Sequence, residues 1–301
     1  MDKMLEELQE CKICPHQCKI NRLEGQKGRC KASDRVEIAR ADLHFFEEPC
    51  ISKENGSGTV FFSHCNLNCL YCQNYEISQE GKGKEISIEK LADIFLKLQE
   101  KGANNINLVT PTMYVYQIIE AIKIAKEKGL ALPIIYNTNS YEELETIQAL
   151  NGYIDVYLPD LKYYSDELSR KYSKVDRYFE KATKAIFEMQ RQVGAVIFNE
   201  RGIIQKGMMI RHLVLPNHIQ NSKHILKWIK ENMPEDIYVN VMAQYFPTYQ
   251  AKQDQLLNRK LTKREYREIE NYFYTLDFQN GYIQELGEHE EEYVPDFDLN
   301  F

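Results

Sequence analysis

The sequence predicts an α/β protein built on a mainly parallel sheet. Six short runs, Thr59–Phe62, Ile106–Val109, Ile134–Tyr136, Ile154–Leu158, Met209–Leu213 and Ile237–Val241, are apolar and rich in β-branched or aromatic residues. Such runs read as strands. Amphipathic stretches separate them, which is the alternation of βα units around a parallel sheet. The first run leads within three residues to Cys65, so chemistry-bearing side chains begin where a strand ends. Six units are too few for a closed eight-stranded barrel.

Composition bounds the class. With 301 residues the chain suits one large α/β barrel or two ordinary domains. A hydrophobic content of 43% and a charged content of 28% describe a soluble globular protein. The formal net charge is −7, and acidic and basic residues alternate on the same predicted helices, so no nucleic acid is expected as partner. The acidic run from Glu288 to Glu292 reads as a solvated tail. The N-terminus lacks an apolar signal region and no apolar stretch is long enough for a bilayer, so a cytoplasmic protein with no membrane partner is expected. Eight cysteines, seven of them in two tight groups, favour metal ligation over disulfides and an oxygen-poor setting.

Taken in order, the first group is Cys11, Cys14, Cys18 and Cys30, spaced C-x2-C-x3-C-x11-C. Four thiolates complete a closed tetrahedral site, and structural zinc and an auxiliary iron–sulfur cluster fit equally. Gly25 and Gly28 suit the tight turn of such a ligand loop, and His16 reads as a turn residue. This segment, residues 1–50, is expected to precede a barrel over 51–301. Val36–Leu43 alternates like a short strand, Cys50 reads as a part-buried thiol, and Gly56 and Gly58 turn the chain into the first barrel strand. Ser87 caps a helix whose Leu91, Ile94, Phe95 and Leu98 form one stripe, closed at Gly102. Further helices are predicted over 114–128, over 141–150 with Ser140 as cap, over 175–190 and over 222–232. Ala195–Ile204 reads as a hairpin, and Thr262 with Glu265 forms a capping box opening a helix to Leu276.

The second group, Cys65, Cys69 and Cys72, has the spacing C-x3-C-x2-C with Tyr71 before the last cysteine. Three thiolates are one short of a closed set, which leaves an iron open to a small ligand. A zinc knuckle or a redox pair is the alternative reading of these residues. With the aromatic position and the preceding strand, the motif resembles that of the radical S-adenosylmethionine (SAM) enzymes. The resemblance implies a partial (β/α)6 TIM-type barrel. It also implies a 4Fe-4S cluster whose unique iron is chelated by SAM and which splits the sulfonium to give a 5′-deoxyadenosyl radical.

The likeness extends along the strand ends, where barrel chemistry sits. After the second strand the family usually carries Gly-Gly-Glu-Pro; here Val109-Thr-Pro-Thr-Met113 stands instead, and Thr110 and Thr112 take the cofactor-facing positions. Asn137-Thr-Asn-Ser140 is similar to a segment of the glycyl-radical-enzyme activases that helps bind SAM and a monovalent cation, which implies roles for Asn137 and Thr138; capping of the next helix is the alternative. Asp160-Leu-Lys162 resembles the activase Asp-x-Lys motif, with Lys162 suited to the SAM carboxylate. A surface ion pair is the alternative there. Met209–Pro216 resembles the activase segment whose arginine faces SAM, which assigns Arg211. Phe246 replaces a histidine of those enzymes.

The resemblance thus implies a radical SAM oxidoreductase of the pyruvate formate-lyase activating type, served by a flavodoxin- or ferredoxin-type reductant and acting on a glycyl radical protein. Radical modification of a small molecule or peptide is the alternative, and a passive iron–sulfur or zinc electron carrier the non-enzyme one. A monomer is expected.

Overall fold

The computed structural model describes residues 2–287, 294–299 and 301. The acidic run at Glu288 to Glu292 lies outside the described residues. The six expected strands all form: β2 (Ser57–Phe62), β4 (Ile106–Val109), β5 (Ile134–Thr138), β6 (Val156–Pro159), β8 (Ile204–Leu213) and β9 (Tyr238–Met242). They pair in parallel in that order. Helices cover the outer face, including α3 (Ile88–Glu100) and α4 (Val115–Glu127). Sheets built this way are buried on both sides, and every residue of β2, β4, β5 and β6 is buried.

Strands beyond the six extend both edges. β1 (Val36–His44) runs antiparallel to β2 and carries the short β3 (Lys84–Ile86), while β10 (Asn280–Ile283) adds a seventh parallel strand to β9. β10 and β3 end the strand order without meeting, so the sheet is a partial, open barrel. Residues 195–204 form the expected hairpin: β7 (Ile197–Phe198) folds back on the start of β8.

Ser87 accepts from the Lys90 amide, and Thr262 and Glu265 make the reciprocal capping box. Three helix starts differ from expectation: the helix expected from Ser222 already begins at Ile219 (α8, Ile219–Asn232). The helix expected from Tyr141 begins only at Leu144 (α5, Leu144–Ala149), because Ser140 adopts φ +65° and Glu142 turns inward to buried hydroxyls. The helix expected from Val175 begins at Tyr178 (α7, Tyr178–Val193), preceded by a separate α6 (Asp166–Ser173). Among the described residues no helix is long and apolar enough to cross a membrane.

Candidate functional site

Parallel pairing brings the C-terminal ends of β2, β4, β5, β6, β8 and β9 to one edge of the barrel, and a cavity opens there. Cys65, Cys69, Tyr71 and Cys72 line it from the loop after β2. Thr110 follows β4, Asn137 and Thr138 end β5, Asp160 and Lys162 follow β6, and Arg211 stands on β8; all line the same cavity. Residues up to 146 positions apart in sequence therefore share one wall.

Each thiol has its own neutral partner. Cys69 Sγ lies 2.9 Å from Ser173 Oγ, Cys72 Sγ lies 3.1 Å from Ser78 Oγ, and Cys65 Sγ accepts from Asn139 Nδ2 at 3.4 Å. All three cysteines are free. Burial pushes all three thiols up, Cys69 to about 11 although the Lys162 ammonium opposes the shift. Without a metal they stay protonated, so metal loading must release protons. Among the described residues no three His, Cys, Asp or Glu side chains converge on a position for one metal ion.

Opposite the cysteines lies an ion network. Lys162 Nζ donates to Asp160 Oδ2 at 2.6 Å and Arg211 Nε to Asp160 Oδ1 at 3.0 Å. Arg211 also donates to Asn137 Oδ1 at 2.5 Å and to Glu47 Oε2 at 3.3 Å. Burial alone would raise the Asp160 carboxyl, yet Lys162 and Arg211 outweigh it and hold the group below its ordinary value. Burial would lower Lys162, and Asp160 raises it instead. Both cations therefore remain charged in a buried wall, where an anionic group gains most.

Several placements depart from expectation. Thr112, expected beside Thr110 at the cofactor, lies off the cavity; it is fully buried and donates to Glu142 Oε1 at 2.7 Å. Thr138 faces the cavity but its hydroxyl also donates to Glu142, at 2.5 Å. His16, expected as a mere turn residue, bonds the Asn66 carbonyl through Nε2 at 2.8 Å and ties the first cysteine loop to the second. His64 pairs with Glu37 on β1 at 3.0 Å. Cys50 is buried rather than part-buried.

Sequence reasoning missed Glu47, Glu48 and Glu142. The chain leaves β1 and passes along the inner face of the sheet, where Glu47 accepts from Asn107 on β4 at 2.9 Å and Glu48 from Asn240 on β9 at 2.6 Å. Burial, with Glu48 nearby, raises Glu47 to about 7 against the pull of Arg211. Burial likewise raises Glu142 to about 7, opposed by the Thr138, Thr112 and Tyr136 hydroxyls. A signal did exist: Asn107, Asn137, Arg211 and Asn240 interrupt otherwise apolar strands, and a buried polar residue demands a partner.

Away from this cavity, Cys11, Cys14, Cys18 and Cys30 line a second, small one together with Ile20, Arg22, Gly28 and Ala32. Burial pushes the Cys14 and Cys30 thiols up. The buried Arg22 secures this loop, donating to the Ser33 carbonyl and, at 2.8 Å, to the Met113 carbonyl.

The radical SAM superfamily pattern matches residues 59–199. A protein of Methanocaldococcus jannaschii, described as uncharacterized, is 32% identical over 270 residues, spanning 86% of this chain and 72% of that relative. The pyruvate formate-lyase-activating enzyme of Clostridium pasteurianum is 24% identical over 177 residues, spanning 56% of this chain and 66% of that enzyme. Among solved structures, the FeFe-hydrogenase maturase HydG from Carboxydothermus hydrogenoformans is similar in fold, with a TM-score of 0.53 at 15% identity over 76% of this chain. The match spans 53%, about half, of the maturase chain.

Proposed function

The chain belongs to the radical SAM superfamily, and from that premise we propose that it is an oxidoreductase that reductively cleaves SAM and abstracts hydrogen from a substrate. The observation that carries this reading is the placement of three free cysteines and the Asp160–Lys162–Arg211 network on one cavity. Cys65, Cys69 and Cys72 would hold a 4Fe-4S cluster, which when loaded with SAM supplies the electron that opens the sulfonium to a 5′-deoxyadenosyl radical. Lys162 and Arg211 present charge and hydrogen bonds to the SAM carboxylate, with Asp160 keeping both cations in position. Thr110, Asn137 and Thr138 offer further polar contacts from neighbouring strand ends. Tyr71, bonded to Tyr163 at 2.6 Å, holds the cysteine loop against α6 and its flanks. A flavodoxin- or ferredoxin-type protein is the reductant.

By likeness to the Clostridium pasteurianum activating enzyme, the hydrogen donor is a glycine of a glycyl radical protein. Cys11, Cys14, Cys18 and Cys30 form a second, closed metal site, an iron–sulfur cluster or zinc, that does not touch SAM.

Anaerobic reconstitution with iron and sulfide, followed by SAM and dithionite, tests the reading. The wild type is expected to release 5′-deoxyadenosine, and Cys65→Ala, Cys69→Ala and Cys72→Ala none. A loaded wild type that releases none would overturn it.

A further inference from the structure

A third cavity adjoins the first, sharing Phe46, Glu47, Arg211, Met242 and Gln244 with it and reaching Tyr282 on β10. The SAM chemistry above leaves two of its side chains unused. Glu48 and Asn240 are each only 7% exposed, and Asn240 Nδ2 donates to Glu48 Oε1. The remaining oxygens, Glu48 Oε2 and Asn240 Oδ1, have no hydrogen-bond partner. Buried acceptors are ordinarily paired, and two left bare side by side cost free energy that an arriving donor recovers. Both residues line this cavity.

Charge narrows the donor. Glu48 makes no ion pair among the described residues, while the two nearby cations, Lys162 and Arg211, are already paired with Asp160 and Glu47. A further positive group is what the pocket accommodates. At its rim Phe45 and Phe46 are 51% and 50% exposed. Exposed aromatic faces grouped at a cavity mouth mark a binding surface and attract cations.

We propose that this cavity is the substrate subsite for an organic cation: a primary ammonium or guanidinium head on a short apolar stem, held by Glu48 and Asn240 beneath Phe46. The stem then points along the shared wall at Arg211 and Met242, which brings its C–H bonds toward the cysteine cavity. The head belongs either to a free amine or to a Lys or Arg side chain of a peptide; the recognition chemistry is the same. Its use as a substrate site rests on the radical SAM reading, whereas its binding of a cation does not.

The test follows binding by saturation-transfer NMR to the reconstituted protein with SAM present. The probes are butylguanidinium chloride, its neutral isostere butylurea, and the capped tripeptide acetyl-Gly-Arg-Gly-amide. Butylguanidinium is expected to bind saturably, with butylurea about tenfold weaker, and Glu48→Gln is expected to weaken the cation by about tenfold. Phe46→Ala, at a half-exposed position that leaves the fold intact, is expected to weaken it several-fold. Tripeptide binding alongside supports a peptide source; butylguanidinium binding with the tripeptide excluded supports a small amine. Equal binding of butylurea overturns the proposal, as does unchanged affinity in Glu48→Gln or, should that variant not fold, in Phe46→Ala. Cation binding by a protein that forms no 5′-deoxyadenosine would sink the enzymatic reading and leave the subsite standing.

Discussion

The two cysteine loops use the same ligand atom in opposite surroundings. Cys65, Cys69 and Cys72 line a polar cavity and face Asp160, Lys162 and Arg211 across it. Cys11, Cys14, Cys18 and Cys30 line a small space walled by Ile20, Ala32, the glycine at 28, Gln17 and the buried Arg22, with no carboxylate among the lining residues. One set faces charged groups across a cavity; the other brings four thiols to one small space. The difference lies in what stands opposite the thiols, since burial raises thiols in both loops.

The largest blow to that contrast comes from Asp160→Asn. The variant strands Lys162 and Arg211 in a buried wall without their shared anion. Removing one partner of such a network costs about 3–5 kcal/mol. Chemical unfolding should show that loss, while metal bound at the 11–30 loop should stay constant per folded chain. A loss below about 1 kcal/mol, the range of exposed ion pairs, would break the argument that this wall is electrostatically built.

A smaller effect is expected at Glu142, which lies between the regions: it accepts from Thr138 at the open cavity, and its charge also acts to raise Cys14 in the closed one. Its folded pKa of about 7 exceeds the ordinary 4.5. Between those values the folded state keeps a proton that the unfolded state has released, so this group's contribution to stability falls as pH rises through the window. The full fall is about 3 kcal/mol. Glu142→Gln removes it: near pH 5 the variant should match the wild type, and at pH 8 exceed it by about 1–3 kcal/mol in urea unfolding. A variant that is equally destabilised at both pH values would show that the carboxylate, not its neutral form, is the native partner of the three hydroxyls.

Much of this was legible in the sequence because it depends on local order. The spacing of Cys65, Cys69 and Cys72 lies within eight residues, the six parallel strands are largely apolar runs, and Asp160 with Lys162 sits two apart at a strand end. What escaped depends on meetings at long range or on weak local signals. Glu47 and Glu48 belong to an irregular connection, and their partners Arg211 and Asn240 lie more than 160 residues away. β10 carries Gly281 at φ +144° within a four-residue strand, a composition that argues against a strand until β9 is there to pair with. Glu142 follows a turn that reads as a helix cap, and nothing local says that three hydroxyls await it. The helix start was misplaced for the same reason.

The mildest test sharpens the contrast from the closed side. A Cβ added at Gly28 would lie 2.8 Å from Cys18 Sγ, closer than real contacts allow, and a tight 3.0 Å from Cys18 Cβ. The thiol is a side-chain tip and can yield, so Gly28→Ala should cost only about 1–2 kcal/mol by overpacking, and chiefly displace Cys18. The expected signature is loss of metal from the 11–30 site by elemental analysis, with 5′-deoxyadenosine formation retained. Gly25→Ala separates this from general strain of the loop. That position has φ +77° with nothing within 4 Å of the added atom, so alanine there strains the backbone without reaching a thiol. If both variants lose metal equally, the loop's turn rather than the Cys18 position governs the closed site. If Gly28→Ala alone loses it, four-thiol geometry is the feature that sets the two loops apart.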